Sequence, residues 1–194
     1  MIEENKIQLE QIVAPSTFGT QFLNPQKIVA QLEMRPGMKV AHFGCGTGYF
    51  TFPIAGKIGE KGTIWALDIL EHKIELIRSN TKVLGLGNVI VKRVNLEKPN
   101  GSGLEDGSAD WVVMVNMLYQ NSRQNQILGE AKRILNSTGR ILLIDWKTAS
   151  GSFGPEMHTR IAKEDLLKMI RKNGLGIAQE LEIGQLYFGM ILTK

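Results

Sequence analysis

Cysteine is nearly absent from the sequence: Cys45 is the only one among 194 residues. One thiol excludes an intramolecular disulfide and a cysteine-rich zinc site, and a reducing compartment is its simplest home. The three histidines, His42, His72 and His158, form no H-x-x-x-H or comparable ligand pair, so no catalytic metal is expected. No apolar run approaches the length of a membrane span, and the acidic start, Met1-Ile2-Glu3-Glu4-Asn5-Lys6, has no apolar core followed by a cleavage site. The expectation is a soluble, cytoplasmic protein without a membrane partner. Blocks of like charge are missing too. The formal net charge of +4 is spread over pairs such as Lys92-Arg93, Lys132-Arg133 and Arg171-Lys172, which read as solvated faces before a nucleic-acid footprint.

What is present is ample material for one core, with 43% hydrophobic residues. The first three dozen residues carry a helical apolar pattern at Ile2, Ile7, Leu9, Ile12 and Val13, and again at Ile28, Val29 and Leu32. Arg35-Pro36-Gly37 ends that pattern, which divides the chain into an N-terminal helical extension over 1–36, able to serve as a lid, and a main domain over 37–194. Beyond the turn, short apolar runs alternate with helical ones, as in successive βαβ units of a parallel sheet. Strands are expected at Lys39 to Phe43, Gly62 to Leu67, Val89 to Val94, Trp111 to Val115 and Arg140 to Asp145. Helices are expected at Tyr49 to Ile58, Ile69 to Leu84, Gln124 to Leu135 and Lys163 to Arg171, and loops at Asn95 to Asp110 and Thr148 to Pro155. Ile177 to Ile183 and Tyr187 to Thr193, joined at Gly184-Gln185, read as a closing hairpin. The fold class is therefore α/β, doubly wound, with a mostly parallel sheet and helices on both faces.

The first strand runs straight into Gly44-Cys45-Gly46-Thr47-Gly48. Glycines at this place let the backbone approach a ligand closely. A dinucleotide fingerprint would put glycine at position 49, where this chain has Tyr49, so a nicotinamide or flavin dinucleotide is the poorer fit. Asp68 closes the second strand twenty residues after Gly48. A carboxylate there can accept both hydroxyl protons of a free ribose diol; its alternative role is to cap the helix that follows.

With these residues in hand, the chain resembles the class I S-adenosylmethionine-dependent methyltransferases from about Pro25 onward. Val40 to Gly48 matches that family's first motif, Trp65-Ala66-Leu67-Asp68 its second, and Ala109 to Val113 followed by Asn116-Met117-Leu118 its fourth. Arg133 to Arg140 is similar to the stretch that leads into the fifth strand. The resemblance implies a seven-stranded Rossmann-like sheet with an antiparallel C-terminal strand. It also implies S-adenosylmethionine as cofactor, with S-adenosylhomocysteine as product. Gly44, Gly46 and Gly48 would line the methionine moiety, with Cys45 of the same turn among the cofactor-binding residues; Asp68 would hold the ribose and Ile69 would pack on the adenine. Asn95 would accept from the adenine amino group, Leu96 would offer its backbone N–H, and Asn116 would face the sulfonium. The chain departs from the family at His42, where an acid is usual, and at Asn95, where Asp is common. His42 reads either as a neutral ring organising the glycine loop and the cofactor's amino group, or as a core histidine satisfied by backbone.

Methyl transfer from a sulfonium is an in-line displacement, and positioning alone can supply roughly 7–11 kcal/mol of its barrier. A base is needed only if the acceptor must first lose a proton. Tyr119, Asp145 and His158 are the candidates, at the expected carboxyl edge of the sheet. Asp145-Trp146-Lys147, a Gly-Pro loop and Arg160 resemble the ubiquinone/menaquinone-biosynthesis-like branch. Cys45 reads as packing and not as a nucleophile. Phe18, Phe22, Leu23 and Tyr49 read equally as a lid over the glycine turn or as a helix pair packed on the sheet edge. A small-molecule acceptor is expected, since little chain lies beyond the core. The alternatives are an RNA or protein acceptor, suggested by the basic balance, and a module that binds the cofactor or its product without catalysis, suggested by His42 and Asn95.

Overall fold

The structure is a computed structural model that describes residues 23–148 and 153–194. The apolar pattern of residues 2–13 and the lid candidates Phe18 and Phe22 lie outside the described residues. The chain packs as two compact units, divided between Arg93 and Val94.

Among the described residues of the first unit, helix α1 (Pro25–Gln31) comes first, capped by Asn24, whose side-chain oxygen accepts from Lys27 N at 2.9 Å, with Pro25 in the first turn. Both devices satisfy or remove N–H groups that have no partner inside a helix. Strand β1 (Lys39–Phe43), helix α2 (Thr51–Ile58), strand β2 (Thr63–Asp68), helix α3 (Glu71–Val83) and strand β3 (Val89–Arg93) follow. Helix α2 begins two residues later than Tyr49, and Pro53 sits in its first turn, where no intrahelical bond is lost. The strands run β3-β2-β1, all parallel, with Lys39 opposite Thr63 and Ile64 opposite Val89. Val40, Ala41 and Phe43 are fully buried and His42 between them is buried too, as on a strand covered on both faces.

The second unit contains strand β4 (Ala109–Val115), helix α4 (Gln124–Ile134), strand β5 (Leu135–Trp146), helix α5 (Lys163–Lys172), strand β6 (Gly176–Leu181) and strand β7 (Tyr187–Thr193). Their order is β4-β5-β7-β6; β4 and β5 are parallel, and β7 runs antiparallel to both β5 and β6. The closing hairpin is thus as the sequence suggests, and in each unit parallel strands joined by helices give the expected α/β character. β5 starts five residues earlier than expected. Its regular pairing nevertheless begins at Arg140, opposite Trp111, because Asn136 to Gly139 bulge out of the ladder. A Cβ on Gly139 would come within 2.6 Å of Leu135 Cγ, so this bulge requires glycine.

The loop before β4 is tied to α4 by a buried ionic knot. Glu130 accepts from Ser102 N at 2.9 Å and from the Arg133 guanidinium at 2.8 Å, and Arg133 also donates to Leu104 O and to Asp106. This corrects one expectation: Arg133 is not a solvated charge. Lys132 likewise donates to Asn173 O at 2.9 Å. Among the described residues no helix is long and apolar enough to cross a membrane, and no group of three His, Cys, Asp or Glu could hold a metal ion.

Candidate active site

In the first unit the site is built where β1 ends. Gly44, Gly46 and Gly48 have φ of 66°, 54° and 95°, backbone that side chains rarely adopt. Cys45 N donates to Leu67 O at 3.0 Å and Gly48 N to Cys45 O at 3.0 Å, which fixes the turn against the end of β2. Asp68 completes the clamp. One carboxylate oxygen accepts from Gly46 N at 2.9 Å, the other from Leu70 N at 3.0 Å, and the residue is 8% exposed. The sequence offered ribose binding and helix capping as alternatives for Asp68; the bond to Leu70 N is a local turn ahead of α3, whose N-cap Leu70 receives no side-chain cap, and the carboxylate keeps unused lone pairs, since it accepts about four bonds. Ile69 and Leu70, directly after it, are half exposed. Arg93, which sequence reasoning did not select, holds the Ile69 carbonyl at 3.0 Å and pairs with Glu71 at 2.9 Å.

His42 takes neither partner expected of it. Its Nδ1 lies 2.8 Å from Thr51 Oγ1 in the first turn of α2, and burial pushes its pKa down to about 3, so the ring is neutral at any working pH. Cys45 is 3% exposed, and its thiol is pushed far up by burial and then by the Asp68 charge. A thiol so protected is no nucleophile. Tyr49 donates to Leu23 O at 2.7 Å, and Leu23 is buried, so these two lid candidates are packed together in the first unit.

The second unit supplies the remaining candidates. Asn116, directly after β4, has φ of 52°, and both polar atoms of its amide are buried without a hydrogen-bond partner. Its backbone is held: the N–H donates to Ile144 O at 2.9 Å and the carbonyl accepts from Gln120 Nε2 at 2.6 Å. Asn95 accepts from Glu97 N at 3.0 Å in a local turn, and Leu96 is buried. Glu97 in turn caps the start of α4 by accepting from Ser122 N and Arg123 N, and these bonds, Arg123's first, hold its carboxyl below the usual range. Asp145 is 2% exposed. Burial pushes its carboxyl up to about 7, against the pull of the Trp146, Tyr119 and Leu118 N–H groups. Tyr119 is pushed up as well, by burial and then by the Asp145 charge. His158 is an exposed side chain paired with Glu156 at 3.1 Å, far from the character of a buried base. Arg160, by contrast, is buried: it donates to Pro155 O and Lys147 O, both at 2.9 Å, and lies 5.4 Å from the Trp146 ring centroid.

A parallel sheet with a glycine turn after its first strand and an acid closing its second defines a nucleotide-binding α/β enzyme domain. The chain belongs to the family described as methyltransferase domain, whose model matches residues 34–185. Demethylmenaquinone methyltransferase of Bacillus mycoides (strain KBAB4) is 28% identical over 116 residues, which is 59% of this chain and 47% of that protein. The chain thus spans about half the length of the curated relatives it matches. Among solved structures, an S-adenosylmethionine-dependent methyltransferase from Aquifex aeolicus superposes with a TM-score of 0.83 at 24% identity, covering 96% of each chain. A geranyl diphosphate methyltransferase in complex with S-adenosylmethionine gives 0.72 at 12% identity, covering 87% of this chain and 83% of that one. These likenesses carry the Rossmann-like fold; the family carries the cofactor. The chain holds an S-adenosylmethionine-dependent methyltransferase domain.

The residues present fit that cofactor. In the first unit, a Cβ at Gly46 would meet no heavy atom within 4 Å, so the turn borders open space, and Ile69 offers an uncovered apolar face. When bound, the cofactor supplies an electrophilic methyl group on a sulfonium.

Proposed function

We propose that the chain transfers the methyl group of S-adenosylmethionine to a small-molecule acceptor and releases S-adenosylhomocysteine. The Asp68 clamp on Gly46 carries this reading. It fixes an acid and a ligand-facing turn in one rigid piece, so that the turn is set before the ribose arrives. In this reading Gly44, Cys45, Gly46 and Gly48 run along the methionine moiety, Asp68 keeps its free lone pairs for the ribose and Ile69 covers the adenine. Asn95, Leu96 and Asn116 are carried over from the family's pattern. His42 is reassigned to holding the start of α2, and no side chain is assigned as a base. Residues 1–36 are the N-terminal extension, 37–194 the cofactor-binding domain, and the cytoplasm the working compartment. The small-molecule acceptor draws support from the relatives that act on demethylmenaquinone.

Calorimetry with S-adenosylhomocysteine tests the site. Asp68→Ala should weaken binding roughly 10- to 100-fold, the loss of charged hydrogen bonds, whereas Asp106→Ala, a surface partner of Arg133, should not. Equal effects would sink the assignment. The acceptor is tested by incubating labelled cofactor with a panel headed by reduced demethylmenaquinone and including RNA and protein. Label confined to RNA or protein would overturn the small-molecule reading.

A further inference from the structure

The sequence singled out Asp145 and Tyr119 as candidates for proton transfer, and the geometry gives Asp145 different work. Asp145 lies near the end of β5 with its Oδ1 accepting from Trp146 N at 2.9 Å. Its Oδ2 faces the turn after β4, where Tyr119 N donates at 3.4 Å and Leu118 N also contributes. That turn, Leu118–Gln120, is one short 3₁₀ turn two residues past Asn116, and Gln120 reaches back to hold the Asn116 carbonyl. A carboxylate whose oxygens meet backbone N–H groups, with 2% exposure, has no open path to an acceptor's proton.

We propose that Asp145 is a positioning residue: its buried carboxyl group anchors the Leu118–Gln120 turn to β5 and thereby fixes Asn116 in its left-handed conformation for cofactor binding. The proposal rests on the reading of Asn116 as a cofactor contact. Two observations support it. Asn116 keeps a rarely populated backbone and an unpaired buried amide, which persist only where the surroundings over-determine them. The restraints on it come from β5, through Ile144 O, and from the turn that Asp145 grips.

The grip should depend on pH in a defined direction. The groups around Asp145 that carry or gain charge are the Tyr119 phenol on the turn and the Arg160 guanidinium, both of which act on this cluster. On β7 the register partner is Phe188, which does not titrate. Because burial raises the carboxyl to about 7, the closed turn binds a proton more tightly than an opened, hydrated one. Closure therefore weakens as pH rises through about 7.

The test combines amide hydrogen exchange with S-adenosylhomocysteine titration, from about pH 6 to about pH 8.5, on the wild-type chain, Asp145→Asn and Asp145→Ala. In the wild type, the protection of the Leu118 and Tyr119 amides, corrected for intrinsic rates, and the affinity should fall together as pH rises. Asp145→Asn should hold both nearly constant with pH. Asp145→Ala should lose protection at all pH values and bind at least tenfold more weakly. A His72→Gln, His158→Gln control should keep the wild-type profile. Unchanged protection and affinity in Asp145→Ala would overturn the proposal, as would a wild-type affinity that stays flat while protection falls. Absence of any wild-type binding would instead overturn the cofactor reading beneath it.

Discussion

Replacing Asp145 by Asn should remove one source of the stability lost as pH rises. The carboxyl is pushed from its ordinary 3.8 up to about 7, chiefly by burial. A folded-state value raised above the unfolded one contributes stability that is full below about 3.8 and is lost as pH rises through about 7. Over that whole window the loss is on the order of 4 kcal/mol, at about 1.4 kcal/mol per tenfold. Roughly 2.5 kcal/mol of it falls between pH 5 and pH 8, because at pH 5 the unfolded carboxyl is already ionised. Asn is isosteric and does not titrate. It keeps one acceptor and turns an N–H₂ toward a backbone donor, which costs about 1–3 kcal/mol at either pH. Urea unfolding of both proteins at the two pH values gives the comparison, since every other titrating group cancels in the difference. The Asn variant should be the less stable at pH 5 and gain roughly 2.5 kcal/mol on the wild type by pH 8. Parallel pH profiles would refute the reasoning and place the Asp145 carboxyl in contact with water.

The glycine turn separates two costs. Gly48→Ala would bring a Cβ within 2.5 Å of the packed Phe52 ring at φ of 95°, so it should destabilise the fold by about 1–3 kcal/mol in thermal or urea unfolding. Gly46→Ala meets no neighbour and should cost only about 1 kcal/mol of fold, yet abolish S-adenosylhomocysteine binding, because its Cβ occupies the open side of the turn. Cys45 should resist Ellman's reagent at about pH 8 in the native protein and react within seconds to minutes after urea unfolding; fast native labelling would contradict its burial. Asn116→Gly should raise the stability of the cofactor-free protein by roughly 1–3 kcal/mol, by removing an unpaired buried amide and a left-handed side-chain-bearing residue, while weakening cofactor binding. A loss of stability there would mean that the amide has a partner in solution.

The strands, the turn and the hairpin could be read from the chain because each rests on local order. Strands buried on both faces appear as unbroken apolar runs such as Val112-Val113-Met114-Val115, and positive φ appears as glycine. What stayed hidden depends on partners distant in sequence. The ring of His42 is satisfied by Thr51, nine residues on in the first turn of α2, and the sequence pattern alone does not show that the helix brings this hydroxyl to the ring. Glu130 and Arg133, spaced as an ordinary surface pair on a helix, become a knot only when Ser102 and Asp106 fold against them from a loop.

Asp68 makes the same point from the side of function. Its place at the end of β2 was enough to select it, but not to show that both oxygens already grip Gly46 and Leu70. A substitution there removes a clamp as well as a ligand contact, so its effect on binding alone cannot apportion the two roles. The separation comes from comparing Asp68→Asn with Asp68→Ala. The amide keeps one acceptor for the turn, so any affinity that Asn retains over Ala measures the clamp, and what both lose measures the charge offered to the ribose.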